Sequence, residues 1–319
     1  MTVAEIVDPH HHLWHDRGGG AYLLDDLHAD TATTPEVVET VFVECHAEYR
    51  TDGPEHLRPV GETEFVAAVA DESAQSDGAT ITGIVAHADL TLPPDLLDEV
   101  LDAHEAAAGG RFRGIRDALC HATDDLRPHL RIAGRAPAGK AADPDFRRGV
   151  ARLGERDLTY DTWHYHVQNG EFLDLARAVP GTTMVLDHFG TPLGVGPWTG
   201  RHGEIFDDWR ADIDALAGCD NVVAKLGGLA MPDNGFGWHV DDSTRPDVEA
   251  FMAAQARWYH HAIEAFGPDR CMFESNFPVD RWSVDYAVYW EAMQVIADRY
   301  DAAEQSAMFA GTARRVYRL

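Results

Sequence analysis

Eight short apolar segments alternate with helical patterns along the whole chain, and this alternation constrains the fold more than any other feature. The predicted strands are 6–12, 41–43, 81–87, 112–117, 158–166, 183–188, 222–226 and 270–276. Alternating strands and helices without a break in composition predict a parallel α/β architecture in one domain, residues 1–319. The count of eight favours a single closed (β/α)8 barrel, a TIM barrel, over an open doubly wound sheet.

Side chains that can carry chemistry fall at the ends of these predicted strands. They are His10, His12, Glu44, His46, His87, Arg116, Asp117, His164, His166, Asp187, His188, Lys225, Glu274 and Asn276. In a barrel, the carboxyl ends of the strands form the active-site face. The longest loops leave the same face, after the first, fourth, sixth and seventh strands. The sequence therefore predicts one pocket there, lined by residues from most of the chain.

The first strand ends in three consecutive histidines. In an extended chain residues i and i+2 share a face, so His10 and His12 should point the same way and His11 the opposite way. Two neutral imidazoles on one face can bind a divalent cation or hold a polar substrate. The alternatives are a structural histidine cluster or the remnant of a purification tag, and the apolar pair Ile6-Val7 before the histidines disfavours a tag.

Composition narrows the classes of partner. The formal net charge of −28, from 54 acidic and 26 basic residues, argues against nucleic acid or an anionic membrane surface. The acidic, lysine-poor composition fits adaptation to high salt or a GC-rich coding bias equally well. No glycine-rich phosphate fingerprint follows the first strand, which disfavours a dinucleotide enzyme. We expect a small-molecule partner, and the pattern leaves open an assembly of identical chains.

The four cysteines stand far apart, and none forms a Cys-x-x-Cys pair. This spacing predicts reduced, packed thiols rather than a disulfide framework or a zinc site. The N-terminus lacks the layout of a signal peptide, and no apolar run approaches the length that spans a bilayer. We therefore expect a cytoplasmic protein.

Six motifs in the expected order resemble the amidohydrolase superfamily, in particular its amidohydrolase-2 branch of lactonases and related hydrolases and decarboxylases. The motifs are Asp-Pro-His-His-His-Leu-Trp at 8–14, Arg-Gly-Ile-Arg at 113–116, 161–168, Leu-Asp-His-Phe-Gly at 186–190, Lys-Leu-Gly-Gly-Leu at 225–229, and 272–280. Each motif alone is weak. Six of them at the right barrel ends are specific, and the resemblance covers nearly the whole chain.

The resemblance implies a site that binds a metal or retains the outline of one. By motif position its ligands are His10, His12, His166 and the residue at 276, while His188 acts on the substrate or orients water. Where the family has Ser-Asp-Trp-Pro, this chain has Ser-Asn-Phe-Pro at 275–278. Asparagine cannot act as a general base and is a poorer zinc ligand than a carboxylate. Both one divalent ion, zinc or manganese, and a metal-free site therefore stay open.

Two carboxylates could replace the missing base. Glu274 shares a strand face with Asn276, and Asp280 lies in the loop beyond; either could deprotonate water if its pKa suits the site. Glu274 could instead form a buried ion pair, and Asp280 could cap a helix. Arg116 could grip a substrate carboxylate, and Lys225 could polarise a carbonyl, unless both pair with nearby acids.

The leading hypothesis is a hydrolase of a lactone or similar cyclic ester that carries a carboxylate. The predicted catalytic residues are His188, Lys225, Glu274 and Asn276; Arg116, His166 and Trp14 bind substrate; and His10, His12 and His166 bind the metal. One alternative is a metal-dependent, non-oxidative decarboxylase of an unsaturated or aromatic acid. The other is a binding protein related to these enzymes that has lost catalysis, with Asn276 as the mark of that loss.

Overall fold

Eight parallel strands form one sheet in the computed structural model, which describes residues 5–17 and 20–319. The strands are β1 (Ile6–His11), β2 (Val37–Val43), β3 (Thr80–Ala86), β4 (Phe112–Arg116), β5 (Thr159–Thr162), β6 (Met184–Leu186), β7 (Val222–Leu226) and β8 (Cys271–Phe273). Each strand pairs with the next in sequence. The backbone N–H of Asn276 donates to the His10 carbonyl at 3.0 Å, and that of His12 donates to the Phe277 carbonyl at 2.8 Å. These bonds join the two ends of the sheet, so the predicted (β/α)8 barrel is confirmed.

Helices follow the strands and cover the outside of the sheet. They are α1 (Leu24–Thr31), α2 (Val60–Ser73), α3 (Pro94–Ala107), α4 (Pro144–Glu155), α5 (Asn169–Ala178), α6 (His202–Ala217), α7 (Val248–Phe266), α8 (Tyr286–Ala297), α9 (Ala302–Ser306) and α10 (Thr312–Tyr317), with a π-helical turn at Ala307–Gly311. Among the described residues, none of these helices combines the length and the apolar character needed to cross a bilayer.

The segment between β1 and β2 corrects the sequence-based expectation of a long irregular loop. It contains helix α1, which buries Leu27 and begins with an acidic first turn. The Asp26 carboxylate accepts the backbone N–H of Leu23 at 3.1 Å and so caps the first turn. The sequence pattern did not predict α1 because the helix is polar. Only one of its apolar residues is buried, so it shows no helical repeat of apolar positions. The predicted loop also included Gly18 and Gly19, which lie outside the described residues.

Three strands end two or more residues earlier than the sequence pattern predicted. Strands β5, β6 and β8 end at Thr162, Leu186 and Phe273, whereas the predicted strands extended to His166, His188 and Asn276. The chain turns sharply after these ends: φ is +54° at His188 and +56° at Asn276. Left-handed backbone is unfavourable for side chains other than glycine, so these residues are held by their surroundings. Candidate functional side chains therefore lie on tight turns just beyond the strands.

The interior of the barrel is filled by inward-facing valines together with the C-terminal segment. Val7, Val41 and Val185 pack in one cluster with Tyr317 of α10. Near the amino ends of the strands, Arg314 forms ion pairs with acidic residues of the first two strand segments. Helix α10 thus closes the end of the barrel that lies opposite the predicted active-site face.

The four cysteines are buried free thiols, as expected from their spacing. Burial raises the pKa of Cys271 and Cys120, so both sulfurs are kept in the thiol form. These cysteines therefore act as core residues.

Candidate active site

Glu274 joins two imidazoles at the mouth, the rim formed by the carboxyl ends of the strands. Its Oε2 lies 2.7 Å from His10 Nδ1, and its Oε1 lies 2.7 Å from His188 Nδ1. The backbone N–H of His188 also donates to Oε1, at 3.2 Å. All three side chains are buried, and we call them the Glu274 cluster. The sequence places these residues 86 and more positions apart, and the barrel brings them together.

His12 lies beside this cluster with its tautomer fixed. Its ring centroid is 4.9 Å from that of His10, and its Nδ1 donates to the Val43 carbonyl at 2.8 Å. A carbonyl only accepts, so the lone pair of His12 is on Nε2. His11 points away, with its Nε2 3.1 Å from the Thr40 hydroxyl. The predicted orientation of the three histidines is confirmed.

The same argument fixes the tautomer of His188. Glu274 Oε1 already accepts the His188 backbone N–H, so it also accepts from Nδ1, and the lone pair of His188 is on Nε2. Burial lowers the pKa of His188 to about 3 and that of His10 well below its usual value. Near neutral pH these imidazoles are therefore uncharged and can accept a proton or a metal ion.

Lys225 is completely buried behind the cluster. Its Nζ donates to Asp161 Oδ2 at 2.9 Å, and it lies 3.3 Å from both Asp187 Oδ1 and His10 Nδ1. The Tyr317 hydroxyl also donates to Asp161. An ammonium group enclosed by protein partners contacts no substrate in this arrangement. Its predicted role in polarising a carbonyl stays a prediction.

Arg116 is also held by the protein itself. Its Nε donates to Glu44 Oε1 at 2.7 Å, and its Nη2 donates to the Glu44 carbonyl. Its Nη1 lies 3.4 Å from Asp187 Oδ2 and 3.3 Å from His10 Nε2. A guanidinium has five N–H groups, so these partners leave about one for a substrate carboxylate. The predicted bidentate grip is therefore not available without rearrangement, and single-point binding by Arg116 stays a prediction.

Buried acids outnumber buried bases around the cluster. In the part of the chain that the structure describes, the buried cations that pair with these acids are Arg116 and Lys225, and the acids are Glu44, Asp161, Asp187 and Glu274. Burial raises the pKa of Glu274 to about 8, although Lys225 acts to lower it. Burial likewise raises the pKa of Asp187. Among the described residues, Glu274 Oε2 and Asp187 Oδ1 accept no well-oriented hydrogen bond. The raised pKa values show that these two acids have too few positive partners, and a divalent cation held by them and by the imidazole lone pairs would supply the missing positive charge.

Asn276 pairs with Asp280. Its Nδ2 donates to Asp280 Oδ1 at 2.9 Å, and the Ala230 backbone N–H donates to Asp280 Oδ2 at 3.1 Å. Burial raises the pKa of Asp280 to about 8. Both oxygens of Asp280 accept hydrogen bonds, whereas Glu274 Oε2 accepts none from the described residues and lies against His10. Of the two carboxylates suggested by the sequence, the geometry favours Glu274.

The raised pKa of Asp280 predicts a pH-dependent contribution to stability. In the unfolded chain this carboxyl ionises near 3.8, whereas in the folded chain it ionises near 8. Ionisation therefore destabilises the fold increasingly as pH rises from about 4 to about 8. We expect Asp280→Asn to gain about 1–3 kcal/mol of stability relative to the original chain between pH 5 and pH 8. Urea unfolding at several pH values measures this; a stability difference that stays constant with pH would contradict it.

Other predicted residues lie further from the cluster. His166 Nδ1 accepts the Leu193 backbone N–H at 3.2 Å, and its ring contacts Trp198. Within residues 5–17 and 20–319, no hydrogen bond, ion pair or ring contact joins His166 to the Glu274 cluster. His166 as a metal or substrate ligand stays a prediction. Trp14 is half-buried, donates its indole N–H to the Gly20 carbonyl and stacks near His12 at 6.3 Å; its substrate contact also stays a prediction.

Two residues important for this geometry received no role from the sequence. Asp161 is the counter-ion of Lys225, and Gly228 lies against His188. A signal existed for Asp161, because a charge inside a short buried strand needs a buried partner. For Gly228 the sequence shows only a pair of glycines after β7. Such a pair does not indicate which side chain packs against it.

Gly228→Ala should displace His188. Gly228 has φ +65°, and a Cβ there would lie 2.2 Å from His188 Nδ1. We expect kcat to fall about 10²-fold because the imidazole moves relative to Glu274. Gly267→Ala is the matched control, since Gly267 has φ +80° with no atom near its Cβ position. Each variant should lose about 1–3 kcal/mol of stability from its positive φ, Gly228→Ala more than the control because of its contact with His188, and equal activities would contradict the prediction.

Comparisons with known proteins are consistent with this geometry. A family model described as Amidohydrolase matches residues 7–319. An uncharacterized protein of Sinorhizobium fredii, y4mH, is 32% identical over all of both chains. An L-fucono-1,5-lactonase of Burkholderia multivorans is 30% identical over 83% of each chain. A zinc-bound amidohydrolase structure from Burkholderia multivorans is 27% identical, covers 99% of this chain and 100% of its own, and has a TM-score of 0.75.

Proposed function

Because the chain belongs to the amidohydrolase family, we propose that it is a hydrolase that opens a lactone or a similar cyclic ester. The observation that carries the proposal is the Glu274 carboxylate held between His10 and His188. The lactonase relative supports the lactone class. In its narrower form, the proposal is that the substrate also carries a carboxylate. The remaining N–H of Arg116, which could bind such a group, supports this form.

In the proposed reaction His188 acts first as a general base and then as a general acid. A water molecule attacks the lactone carbonyl while His188 Nε2 accepts its proton, and Glu274 stabilises the resulting imidazolium through Nδ1. When the ring opens, the same nitrogen returns the proton to the departing alkoxide oxygen. Proton transfer by a positioned imidazole contributes about 10²- to 10⁴-fold to a rate.

Lys225 and Arg116 act in this proposal as positioning residues. Both contact His10 and Asp187; Lys225 needs no contact with the substrate, and Arg116 would use only its remaining N–H, for a substrate carboxylate. Their charges hold two buried carboxylates in place. Asn276 is also a positioning residue in this proposal. Its side-chain amide donates to Asp280, and its backbone N–H donates to the His10 carbonyl of β1.

The residues present fit one divalent cation. His10, His12 and Glu274 Oε2 would hold it, as the excess of buried acids over buried cations indicates, and His188 Nε2 would stay free to take the proton. When bound, such an ion polarises a carbonyl and lowers the pKa of water. Zinc in the related structure supports zinc over manganese.

A pH-indicator screen tests the proposed function. The panel contains neutral sugar 1,5-lactones and carboxylated lactones, with aromatic carboxylic acids followed by CO₂ release as the contrasting set. We expect enzyme-dependent acid release from at least one lactone and no CO₂ release. CO₂ release without lactone opening would support the decarboxylase alternative. Absence of both activities, with and without added zinc or manganese, would support a silent binding protein.

A further inference from the structure

A second group of ligand-type side chains lies at the mouth, beyond β2 and β3, and the proposed function makes no use of it as a binding site. Glu44 and His46 follow β2, and His87 directly follows β3. One ligand atom of each residue lies within 4.8 Å of the other two. We call these three side chains the β2–β3 cluster.

Glu44 offers an ionised, buried oxygen to this cluster. Its Oε1 accepts from Arg116 Nε at 2.7 Å, and the charge of Arg116 lowers the pKa of Glu44 against the effect of burial. Its Oε2 is buried without a hydrogen bond in the described part of the chain and lies 3.6 Å from His46 Nε2. A charged oxygen left without a donor is unfavourable unless a ligand completes it. The Glu44 side chain is 4% exposed, so bulk water does not supply that partner.

The two imidazoles are arranged around this oxygen. His87 Nδ1 lies 3.0 Å from the Arg116 carbonyl, which only accepts, so the lone pair of His87 is on Nε2. His46 Nδ1 lies 2.8 Å from the Tyr49 hydroxyl, which leaves Nε2 on the side of Glu44. The ring centroids of His46 and His87 are 4.8 Å apart. The His46 side chain is 55% exposed, so an ion can enter from solvent.

We propose that Glu44, His46 and His87 form a second divalent metal site with the ligand preference of zinc. Two imidazoles and one carboxylate are a common zinc set, and the fourth position would be left to water. Calcium and magnesium prefer all-oxygen ligands, so this nitrogen-rich set disfavours them. The carboxylate stays paired with Arg116 through its other oxygen, and hydrogen bonds of this kind commonly fix the orientation of metal ligands. The site does not depend on the proposed reaction.

Metal titration of the full-length protein tests this site. Chelator-treated protein is titrated with Zn²⁺ by calorimetry and with Co²⁺ by visible absorption. We expect His46→Gln to lose one equivalent of metal, or to bind it at least 10-fold more weakly, because one of three ligands is gone. His56→Gln is the matched control, since His56 also pairs with a glutamate, Glu99, and belongs to no group of three possible ligands among the residues that the structure describes. It should bind metal like the original chain.

Folding can be checked separately from metal binding. The His46 side chain is exposed, and the substitution His46→Gln leaves the Glu44–Arg116 ion pair in place. Thermal unfolding of the metal-free variants should agree with that of the original chain. His12→Gln separates the two sites, because it should remove only an ion held at the Glu274 cluster. If His46→Gln binds the same number of ions with the same affinity as the original chain, the β2–β3 site is refuted. That result would leave the lactonase proposal intact.

Discussion

Glu274→Gln is expected to lower kcat for lactone opening by about 10²- to 10⁴-fold. The amide can still accept the His188 backbone N–H, but it carries no charge to stabilise the imidazolium that forms when His188 takes a proton. The ring of His10 loses its carboxylate partner at the same time. Steady-state kinetics on the lactone found by screening measures the effect. KM should change much less than kcat, because Glu274 acts through histidine rather than on the bound substrate.

Glu62→Gln is the matched control for this prediction. Glu62 is also a buried glutamate, and burial raises its pKa. Its Oε1 accepts the backbone N–H groups of Cys45 and Ala47, at 3.0 Å and 2.7 Å, and an amide oxygen can accept both bonds. We expect activity within about threefold of the original chain, since Glu62 lies outside the Glu274 cluster. Equal activities of the two glutamine variants would remove Glu274 from the proposed mechanism.

Lys225→Met is expected to destabilise the fold by about 3–5 kcal/mol. The ammonium group is fully buried and neutralises Asp161 and Asp187, so its removal leaves Asp161 without a cation and Asp187 with Arg116 alone. Asp161 is completely buried, and in the described part of the chain Lys225 is the one cation paired with it. Urea unfolding near neutral pH gives the free energy of unfolding for this comparison.

Lys140 provides the control, because it is the only other lysine in the chain. It pairs with Asp117, and its side chain is 11% exposed, so solvent can partly replace the lost partner. We expect Lys140→Met to lose about 1 kcal/mol. The double variant Lys225→Met/Asp161→Asn should recover part of the loss, since an amide needs no counter-ion. Equal losses for the two lysine variants would show that burial of the Lys225 pair is not the cause.

The sequence by itself determined the barrel and the end at which its site lies. Strands and helices can be predicted from the local periodicity of apolar residues. Parallel pairing of the strands then brings all their carboxyl ends to one rim. For the same reason the two faces of the first strand could be assigned to His10 and His12 on one side and His11 on the other.

Only the tertiary structure decided which of these side chains meet. Glu274 bonds to His10 and His188, Lys225 and Arg116 are enclosed by acids, and Asn276 turns to Asp280. The same strand-end pattern would allow other pairings, because the carboxyl ends of all eight strands place polar side chains at one rim. Partner choice depends on differences of an ångström between residues far apart in the chain and on sharp turns such as that at His188. Local sequence patterns carry no information on such distances, whereas the closed barrel fixes them.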